Sequence, residues 1–202
     1  MKEKQERIIL GIDPGTIIMG YGIIECKGKQ VKLLTMGVLK LDKYGDYALK
    51  LKKIFERTVG LIDEFHPDEL AIEAPFFGKN VQSMLKLGRA QGVAIAAAMS
   101  RELSVNEYSP KKIKQSITGN GNSSKEQVAA MLERILGYEE THEFLDATDG
   151  LAAAYCHYMQ SQGLGSLLAK NKNPALKKKS TKKASGWEAF VKANPDKISK
   201  KS

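Results

Sequence analysis

Four carboxylates of this 202-residue chain stand in apolar surroundings, where acids are uncommon. They are Asp13, Glu73, Asp146 and Asp149. Asp13 ends the apolar run of residues 8–12 and is followed at once by a Pro-Gly pair, and Glu73 ends the short run of residues 70–72. The other two are three residues apart, a spacing that puts both on one face of a helix. A carboxylate at the end of a buried strand is costly to place unless it is paired, hydrogen-bonded or bound to a metal.

A metal is the interpretation that explains all four acids together. If they converge, their mutual repulsion requires a counter-charge, which hard divalent cations with oxygen ligands supply. Mg²⁺ is the physiological choice and Mn²⁺ a substitute, and two such ions about 4 Å apart would activate a water and steady the leaving oxygen in phosphodiester hydrolysis. Two purely structural interpretations remain open at this point. Asp13 alone also suits the cap of a Pro-Gly turn, and Asp146 with Asp149 suits a solvated helix N-terminus.

The strands that must position these acids follow from the spacing of the apolar residues. The first strand, ending at Asp13, is followed by predicted strands over residues 20–25 and 31–41, which short turns join into an antiparallel meander. Two more strands end at Glu73 and at Tyr108. We therefore predict an α/β fold with a mixed five-stranded sheet flanked by helices. Asp13 and Glu73 lie at the carboxyl ends of their strands, the edge at which open α/β sheets bind ligands.

Helices are predicted between and after the later strands. Apolar residues recur at helical spacing over residues 47–65, 80–101 and 144–162. Ser109 and Pro110 supply a cap and a first-turn proline for a short helix. Ser124 with Gln127 forms a capping box and begins a helix that runs to about residue 136.

The charge of the chain is unevenly distributed. The formal net charge is +9, with a sequence pI near 9.4, which favours a nucleic-acid partner. Residues 164–202 hold 11 Lys against two acids, whereas residues 1–163 hold 21 basic and 21 acidic residues. All the net basicity therefore lies in the tail. We predict a folded domain over residues 1–163 and a Lys-rich, disordered tail over residues 164–202.

Composition also bears on location. Cys26 and Cys156 lack the spacing of a disulfide framework or a zinc site, which fits a reducing compartment. No apolar segment typical of a signal peptide follows the charged first residues, and the longest apolar stretch, residues 93–99, is too short to cross a bilayer. We therefore expect a cytoplasmic protein that does not contact membranes.

Several motifs, taken together, resemble the RuvC Holliday junction resolvases. The segments that carry the likeness are Gly11-Ile12-Asp13-Pro14-Gly15 with Gly20-Tyr21-Gly22, Ala71-Ile72-Glu73, Lys79-Asn80, Leu85-Lys86-Leu87-Gly88-Arg89-Ala90-Gln91-Gly92-Val93-Ala94 and Asp146-Ala147-Thr148-Asp149-Gly150-Leu151-Ala152. They occur in order between about residue 8 and residue 159, which is most of the chain. Each motif alone is weak, whereas the combination is specific.

The resemblance implies an RNase H-like fold, a homodimer and Mg²⁺-dependent nicking of two opposed strands in a four-way DNA junction, in homologous recombination and DNA repair. Each nick would leave a 5′-phosphate and a ligatable 3′-hydroxyl. The catalytic, metal-binding set falls on Asp13, Glu73, Asp146 and Asp149. A contact with the RuvA–RuvB branch-migration complex is also implied. We expect the dimer surface to include the helix over residues 80–101, whose small residues allow close approach.

The resemblance places a junction-contacting aromatic on Phe76 and important lysines on Lys114 and Lys125. Phe76 follows Glu73 at the predicted active edge, where a loop aromatic can wedge against an unstacked base. Lysines on either side of the loop over residues 119–122 suit phosphate contacts at the same edge. The expected DNA contacts are Phe76, Lys79, Lys111, Lys112, Lys114 and Lys125. Burial of the aromatic in the core and a solvated face for the lysines are the structural alternatives.

Two other functions stay open from the sequence. Asp-Pro-Gly-Thr followed by Gly-Tyr-Gly also resembles the phosphate-binding turn of the actin and sugar kinase superfamily of ATP-binding proteins, whose fold is related. Those proteins usually have two such domains and longer chains. A non-catalytic junction-binding module is the other possibility, against which the four intact carboxylates argue. For the Lys-rich tail we hypothesise a nonspecific, salt-sensitive DNA tether.

Overall fold

The computed structural model describes residues 6–75, 80–138 and 145–163. The strands in these ranges are β1 (Glu6–Asp13), β2 (Ile18–Lys27), β3 (Gln30–Lys40), β4 (Glu69–Glu73) and β5 (Ser104–Tyr108). The helices are α1 (Tyr47–Phe65), α2 (Val81–Met99), α3 (Pro110–Thr118), α4 (Lys125–Leu136) and α5 (Leu145–Ser161). The predicted alternation of strands and helices is therefore confirmed.

The strands form one mixed sheet in the order β3-β2-β1-β4-β5. β2 is antiparallel to both β1 and β3, which is the predicted meander. β4 runs parallel to β1, and β5 runs parallel to β4 with α2 as the crossover between them. The parallel half of the sheet brings the carboxyl ends of β1, β4 and β5 to one edge.

Helices cover both faces of this sheet. On one face Leu10, Ile12 and Leu70 pack with buried residues of α1 and α2. On the other face Ile9 and Ala71 pack with α3, α4 and α5. Successive residues of β1 therefore serve opposite cores, as the two-residue repeat of a strand requires. Burial on both faces explains why the sequence of β1 is almost uninterrupted in its apolar character.

Side-chain caps set several helix boundaries. The carboxylate of Asp46 accepts backbone N–H bonds in the first turn of α1, which spans the predicted residues 47–65. Ser109 caps α3, with Pro110 in its first turn. Ser124 and Gln127 form the predicted capping box of α4. These boundaries could be predicted because each depends on residues within one turn of the helix end.

Several element ends differ from the prediction by one or two residues, and two of these differences have a visible cause. β2 begins at Ile18 rather than at residue 20, because Ile18 pairs with Lys40 of β3 at the far end of the meander. α2 ends at Met99 rather than at residue 101, because the chain turns there and Glu102 adopts a left-handed backbone conformation, with a φ of 61°. Both differences arise at the ends of elements, where the apolar pattern carries least information.

A polar network ties α5 to the sheet below the edge. The Nε2 atom of His157 lies 2.9 Å from Oε2 of Glu69, and its Nδ1 atom lies 2.7 Å from the hydroxyl of Tyr108. Arg7 donates to the same Glu69 oxygen at 3.2 Å. Because Glu69, Tyr108 and Arg7 belong to β4, β5 and β1, the network fixes α5 against three strands at once.

Some sequence predictions concern residues outside the described ranges. Among them are Phe76, Lys79, the division at residue 163 and the whole Lys-rich tail. Within the described ranges, no helix combines the length and the apolar character needed to cross a membrane.

Candidate active site

The four predicted acids come from three elements that meet at one edge of the sheet. Asp13 is the last residue of β1 and Glu73 the last residue of β4, and these strands are parallel neighbours. Asp146 and Asp149 lie in the first turns of α5, which crosses β1 and β2. The sheet therefore supplies two carboxylates and the helix the other two.

Glycines allow α5 to lie directly on the strands. A methyl group added at Gly150 would lie 2.5 Å from the Cα atom of Tyr21 and 2.7 Å from the carbonyl carbon of Gly20, both in β2. A methyl group at Gly20 would overlap the carbonyl oxygen of Asp146. Gly11 of β1 likewise faces the backbone of α5. These close approaches set the distance between the helical acids and the strand acids.

Burial and mutual repulsion perturb the strand acids strongly. Burial raises the pKa of Asp13 to about 7, with the charges of Asp149 and Asp146 adding to the rise and Lys125 opposing it. Burial likewise raises the pKa of Glu73 to about 8, reinforced by Asp13 and Asp149. At neutral pH, therefore, both carboxyl groups hold protons part of the time. A site that keeps its acids in this condition favours a bound cation.

Asp149 and Asp146 share a lysine. The ammonium of Lys125, the first residue of α4, donates to Oδ2 of Asp149 and lies 3.6 Å from Oδ1 of Asp146. Burial raises the pKa of Asp149 and outweighs the opposing bond to Lys125. Burial opposes the charge of Lys125, but the bond to Asp149 and the surrounding acids raise its pKa. The lysine therefore stays charged within the acid cluster.

The donor set fits a hard divalent cation such as Mg²⁺. Every candidate ligand is a carboxylate, and such oxygen ligands suit a hard divalent cation. Burial and the neighbouring acids raise the pKa values of Asp13 and Glu73 even with Lys125 nearby, and a bound cation would favour their charged forms. Within the described ranges, no group of three or more Asp, Glu, His or Cys side chains is placed closely enough to hold a metal ion. Asp13 and Glu73, which end neighbouring parallel strands, are the first residues we expect to hold the metal.

A cavity of about 430 Å³ opens beside the strand acids. Its wall combines the two carboxylates with small and apolar residues of the turns that follow them. The lining residues are Asp13, Pro14, Gly15, Glu73, Ala74, Pro75 and Leu87. A cavity lined by two carboxylates and by apolar residues can take up a metal-bound phosphate at the acids and a sugar or base beside the apolar residues.

The other predicted DNA contacts that the structure describes lie on α3 and its loop. The ammonium of Lys114 donates to the carbonyl oxygen of Ser123 at 2.8 Å. It lies near enough to Glu73 and Asp149 for its charge to oppose part of the rise in their pKa values. Lys111 is exposed, and its stem packs beside Gly121. Lys112 is half-buried. The structure thus brings Lys114 and Lys125 to the acids and leaves Lys111 on the adjoining surface.

Sequence reasoning missed two contributors to the site. Gly150 follows the acid Asp149 inside a helix, where glycine lowers stability. A glycine at such an unfavourable position could have indicated that the helix backbone lies close to another element. Leu87 lines the cavity from α2 and gave no signal, since it resembles the other apolar residues of its helix.

The raised pKa values predict how stability depends on pH. In the unfolded metal-free chain Glu73 releases its proton near pH 4.5, whereas in the folded chain it does so near pH 8. The folded state therefore loses stability as pH rises through this window. Each pKa unit corresponds to about 1.4 kcal/mol, so Glu73→Gln should raise the melting temperature of the metal-free protein at pH 9 by roughly 3–10 °C, and by little at pH 4.

Calorimetry in the presence of EDTA measures this difference, and Glu102→Gln, a change at an exposed acid in the turn after α2, is the matched control. Equal destabilisation by Glu73→Gln at both pH values would contradict the prediction.

Fold and site together define the class of protein. A mixed five-stranded sheet in this order, flanked by helices and carrying acids at the carboxyl ends of neighbouring strands, is an RNase H-like fold with the acidic site of a nuclease. The family model described as crossover junction endodeoxyribonuclease RuvC matches residues 9–157. The chain belongs to the RuvC family.

Individual relatives agree with this assignment. The chain is 59% identical to the crossover junction endodeoxyribonuclease RuvC of Christiangramia forsetii over 195 residues, covering 96% of this chain and 94% of the relative. It is 58% identical to that of Cytophaga hutchinsonii, covering 96% and 88%. Since both matches span 96% of the chain, they extend into the Lys-rich tail.

A solved structure shows the same fold. The structure of T. thermophilus RuvC in complex with Holliday junction substrate superposes with a TM-score of 0.72 at 31% identity, covering 78% of this chain and 97% of that one. The predicted RNase H-like fold and the resemblance to RuvC resolvases are therefore confirmed.

Proposed function

We propose that this chain is a crossover junction endodeoxyribonuclease that resolves four-way DNA junctions by paired, symmetric nicks. The observation that carries the proposal is the meeting of four acids from β1, β4 and α5, two of them with strongly raised pKa values. Glu73 and the pair of Asp146 and Asp149 fit a nuclease better than a phosphate-binding turn of the actin and sugar kinase type. A non-catalytic junction-binding module would need none of them.

The proposed reaction is hydrolysis of a phosphodiester that leaves a 5′-phosphate and a 3′-hydroxyl. Mg²⁺, with two ions per site and Mn²⁺ as a substitute, would activate the attacking water and stabilise the leaving oxygen. Asp13 and Glu73 would hold the metal from the sheet, and Asp146 and Asp149 from the helix. Their oxygen ligands suit hard divalent cations such as these.

The chain's basic residues would position the junction. Lys125 and Lys114 lie beside the acids, where they can balance the charge of a phosphate brought to the site. Lys111 and Lys112 would extend this contact along α3. Phe76 and Lys79 follow the turn after Glu73 in sequence, and a wedge role for Phe76 remains the proposal drawn from the resemblance.

A homodimer would provide the two sites that paired nicks require. The small residues of α2 lie on two faces of the helix. One face is buried in the chain's own core and holds Ala90, Ala94, Ala97 and Ala98. A second stripe is exposed at helical spacing. It comprises Val81, Leu85, Gly88, Gly92, Ala96 and Met99. Apolar side chains with two open glycines between them suit close approach of a second copy, so the proposed dimer surface is this stripe rather than the whole Ala-rich face.

Two further assignments complete the proposal. Cys26 and Cys156 are buried free thiols, compatible with the reducing cytoplasm in which we place the protein. Contact with the RuvA–RuvB branch-migration complex is proposed from the family resemblance alone.

A supercoiled plasmid that extrudes a cruciform tests both the reaction and the pairing of nicks. Two nicks within one binding event give a linear product, whereas uncoupled nicking gives relaxed circles. We expect linear product in Mg²⁺ or Mn²⁺ and none in EDTA. The same plasmid without the inverted repeat is the control. Absence of cutting in Mg²⁺ would refute the proposed reaction, and relaxed circles alone would refute the paired mechanism.

The Lys-rich tail should add nonspecific affinity for DNA. Residues 164–202 carry a net charge of +9, and each lysine that neutralises a phosphate releases about one counterion. Truncation after Gly163 should weaken binding to duplex and junction alike and flatten the dependence of the dissociation constant on salt. Fluorescence anisotropy between 50 and 300 mM salt measures this slope, and an unchanged slope would contradict a tether role.

A further inference from the structure

The loop between α3 and α4 joins the two lysines that lie beside the acids. Lys114 is in α3, Lys125 is the first residue of α4, and residues 119–124 connect the helices. Such a short connection transmits any shift of its backbone to the start of α4. The contacts inside the loop therefore matter for where the Lys125 ammonium lies.

Two hydroxyls organise this loop from within. The Oγ1 atom of Thr118 lies 2.8 Å from the Oγ atom of Ser123, and Ser123 is only 5% exposed. The same Thr118 oxygen lies 2.9 Å from the carbonyl oxygen of Lys114 and 3.0 Å from that of Asn120, and it accepts the backbone N–H of Asn120 at 3.2 Å. We refer to Thr118 and Ser123 as the hydroxyl pair.

The direction of these hydrogen bonds follows from the capacity of a hydroxyl. A threonine hydroxyl has one proton to donate and two lone pairs with which to accept. Its proton goes to one of the two carbonyl oxygens, since these can only accept. Its lone pairs then accept from the amide of Asn120 and from the hydroxyl of Ser123. The Thr118 oxygen is thus fully used, and removing either hydroxyl leaves a group in the loop without its partner.

The backbone of Ser123 receives a second support from a lysine. Lys114 donates to the carbonyl oxygen of Ser123 at 2.8 Å. The next residue, Ser124, caps α4, and Lys125 follows with its ammonium on Asp149. Thr118 therefore holds the side chain of Ser123 and Lys114 holds its carbonyl, immediately before the residue that caps α4.

We infer that the Thr118–Ser123 hydroxyl pair positions Lys125 for DNA cleavage, by fixing the loop that sets the start of α4 against the acid cluster. Thr118 and Ser123 are positioning residues, since they act through Lys125 and do not reach the acids themselves. The inference rests on the proposed nuclease function. It predicts that the hydroxyl pair affects the rate of cleavage and leaves the affinity for the junction almost unchanged.

The test compares single-turnover nicking of a four-way junction in Mg²⁺ with junction affinity in EDTA. Thr118→Val, which keeps the shape of the side chain, and Ser123→Ala should each lower the nicking rate constant by roughly 10- to 100-fold, because displacement of a positioning group by about 1 Å has effects of this size. The dissociation constant should stay within about threefold of the parent value. Thr118→Ser, which retains the hydroxyl, should restore most of the rate.

Thr58→Val is the matched control, since it removes a buried threonine hydroxyl bonded to the carbonyl oxygen of Ile54, in α1. It should lower the melting temperature and leave the nicking rate unchanged. The inference is overturned if the parent nicks the junction and both Thr118→Val and Ser123→Ala nick it as fast as the parent does. It is also overturned if these variants lose only affinity for the junction, or if Thr118→Ser nicks as slowly as Thr118→Val. A parent that does not nick at all would instead refute the proposed function.

Discussion

Replacing Asp13 with Asn is expected to abolish nicking of a four-way junction while leaving junction binding intact. Asp13 ends β1 at the sheet edge and lies in the fields of Asp149 and Asp146, at the centre of the acid cluster. An amide keeps the shape of the side chain but removes the negative charge that would hold a divalent cation. We expect the nicking rate to fall roughly 1,000-fold or more, as it does when other electrostatic groups of active sites are removed.

The affinity for the junction should not fall with the nicking rate in Asp13→Asn. DNA brings phosphates to a site that already carries four acids, and removal of one acid lowers the repulsion. Asp13→Asn should therefore bind the junction in EDTA as tightly as the parent or slightly more tightly. Asp42→Asn, in the exposed turn after β3, is the matched control and should nick at the parent rate. Nicking by Asp13→Asn at a rate within tenfold of the parent would exclude Asp13 from the proposed catalytic set.

The strand acids could be predicted because their signal is local. Asp13 and Glu73 each end an apolar run, and an acid in that position is unusual whatever the rest of the chain does. The sheet edge they share follows from β1 and β4 being parallel, which the intervening helix α1 makes possible. The mixed five-stranded sheet and the caps of α3 and α4 could thus be predicted from the sequence, whereas the strand order is a finding of the structure.

The partners of the helical acids could not be predicted in the same way. The sequence indicates that Asp146 and Asp149 share a helix face, but Lys125, bonded to Asp149, is 24 residues away in another helix. Lys114 was predicted as a phosphate contact, and its bond to the carbonyl of Ser123 depends on how the α3–α4 loop folds back. Contacts of this kind depend on tertiary packing, which the spacing of residues in the sequence does not predict.

The two faces of α2 illustrate the same limit. Alanines and glycines recur along this helix at positions that serve either the core or the surface. The structure buries Ala90 and Ala94 and exposes Gly92 and Ala96. Since small residues differ little in hydropathy, only the position of the helix on the sheet decides which of them a partner can reach.

Gly150→Ala is expected to destabilise the fold and to slow nicking at the same time. The added methyl would lie 2.5 Å from the Cα atom of Tyr21 and 2.6 Å from its backbone nitrogen. Backbone atoms of a central strand cannot move aside as a side chain can, so α5 must shift away from the sheet. We expect a loss of roughly 1–3 kcal/mol or more in the free energy of unfolding and a fall in nicking rate of roughly 100-fold or more, since Asp149 moves with its neighbour.

Gly60→Ala separates this packing effect from the ordinary effect of glycine in a helix. Gly60 lies inside α1, and a methyl group there would meet nothing within 4 Å. Alanine should therefore stabilise α1 by about 0.5–1 kcal/mol and leave nicking unchanged. Thermal melting and single-turnover nicking of both variants provide the comparison. If Gly150→Ala proved as stable and active as Gly60→Ala, the close contact between α5 and β2 would not be what holds Asp146 and Asp149 near Asp13.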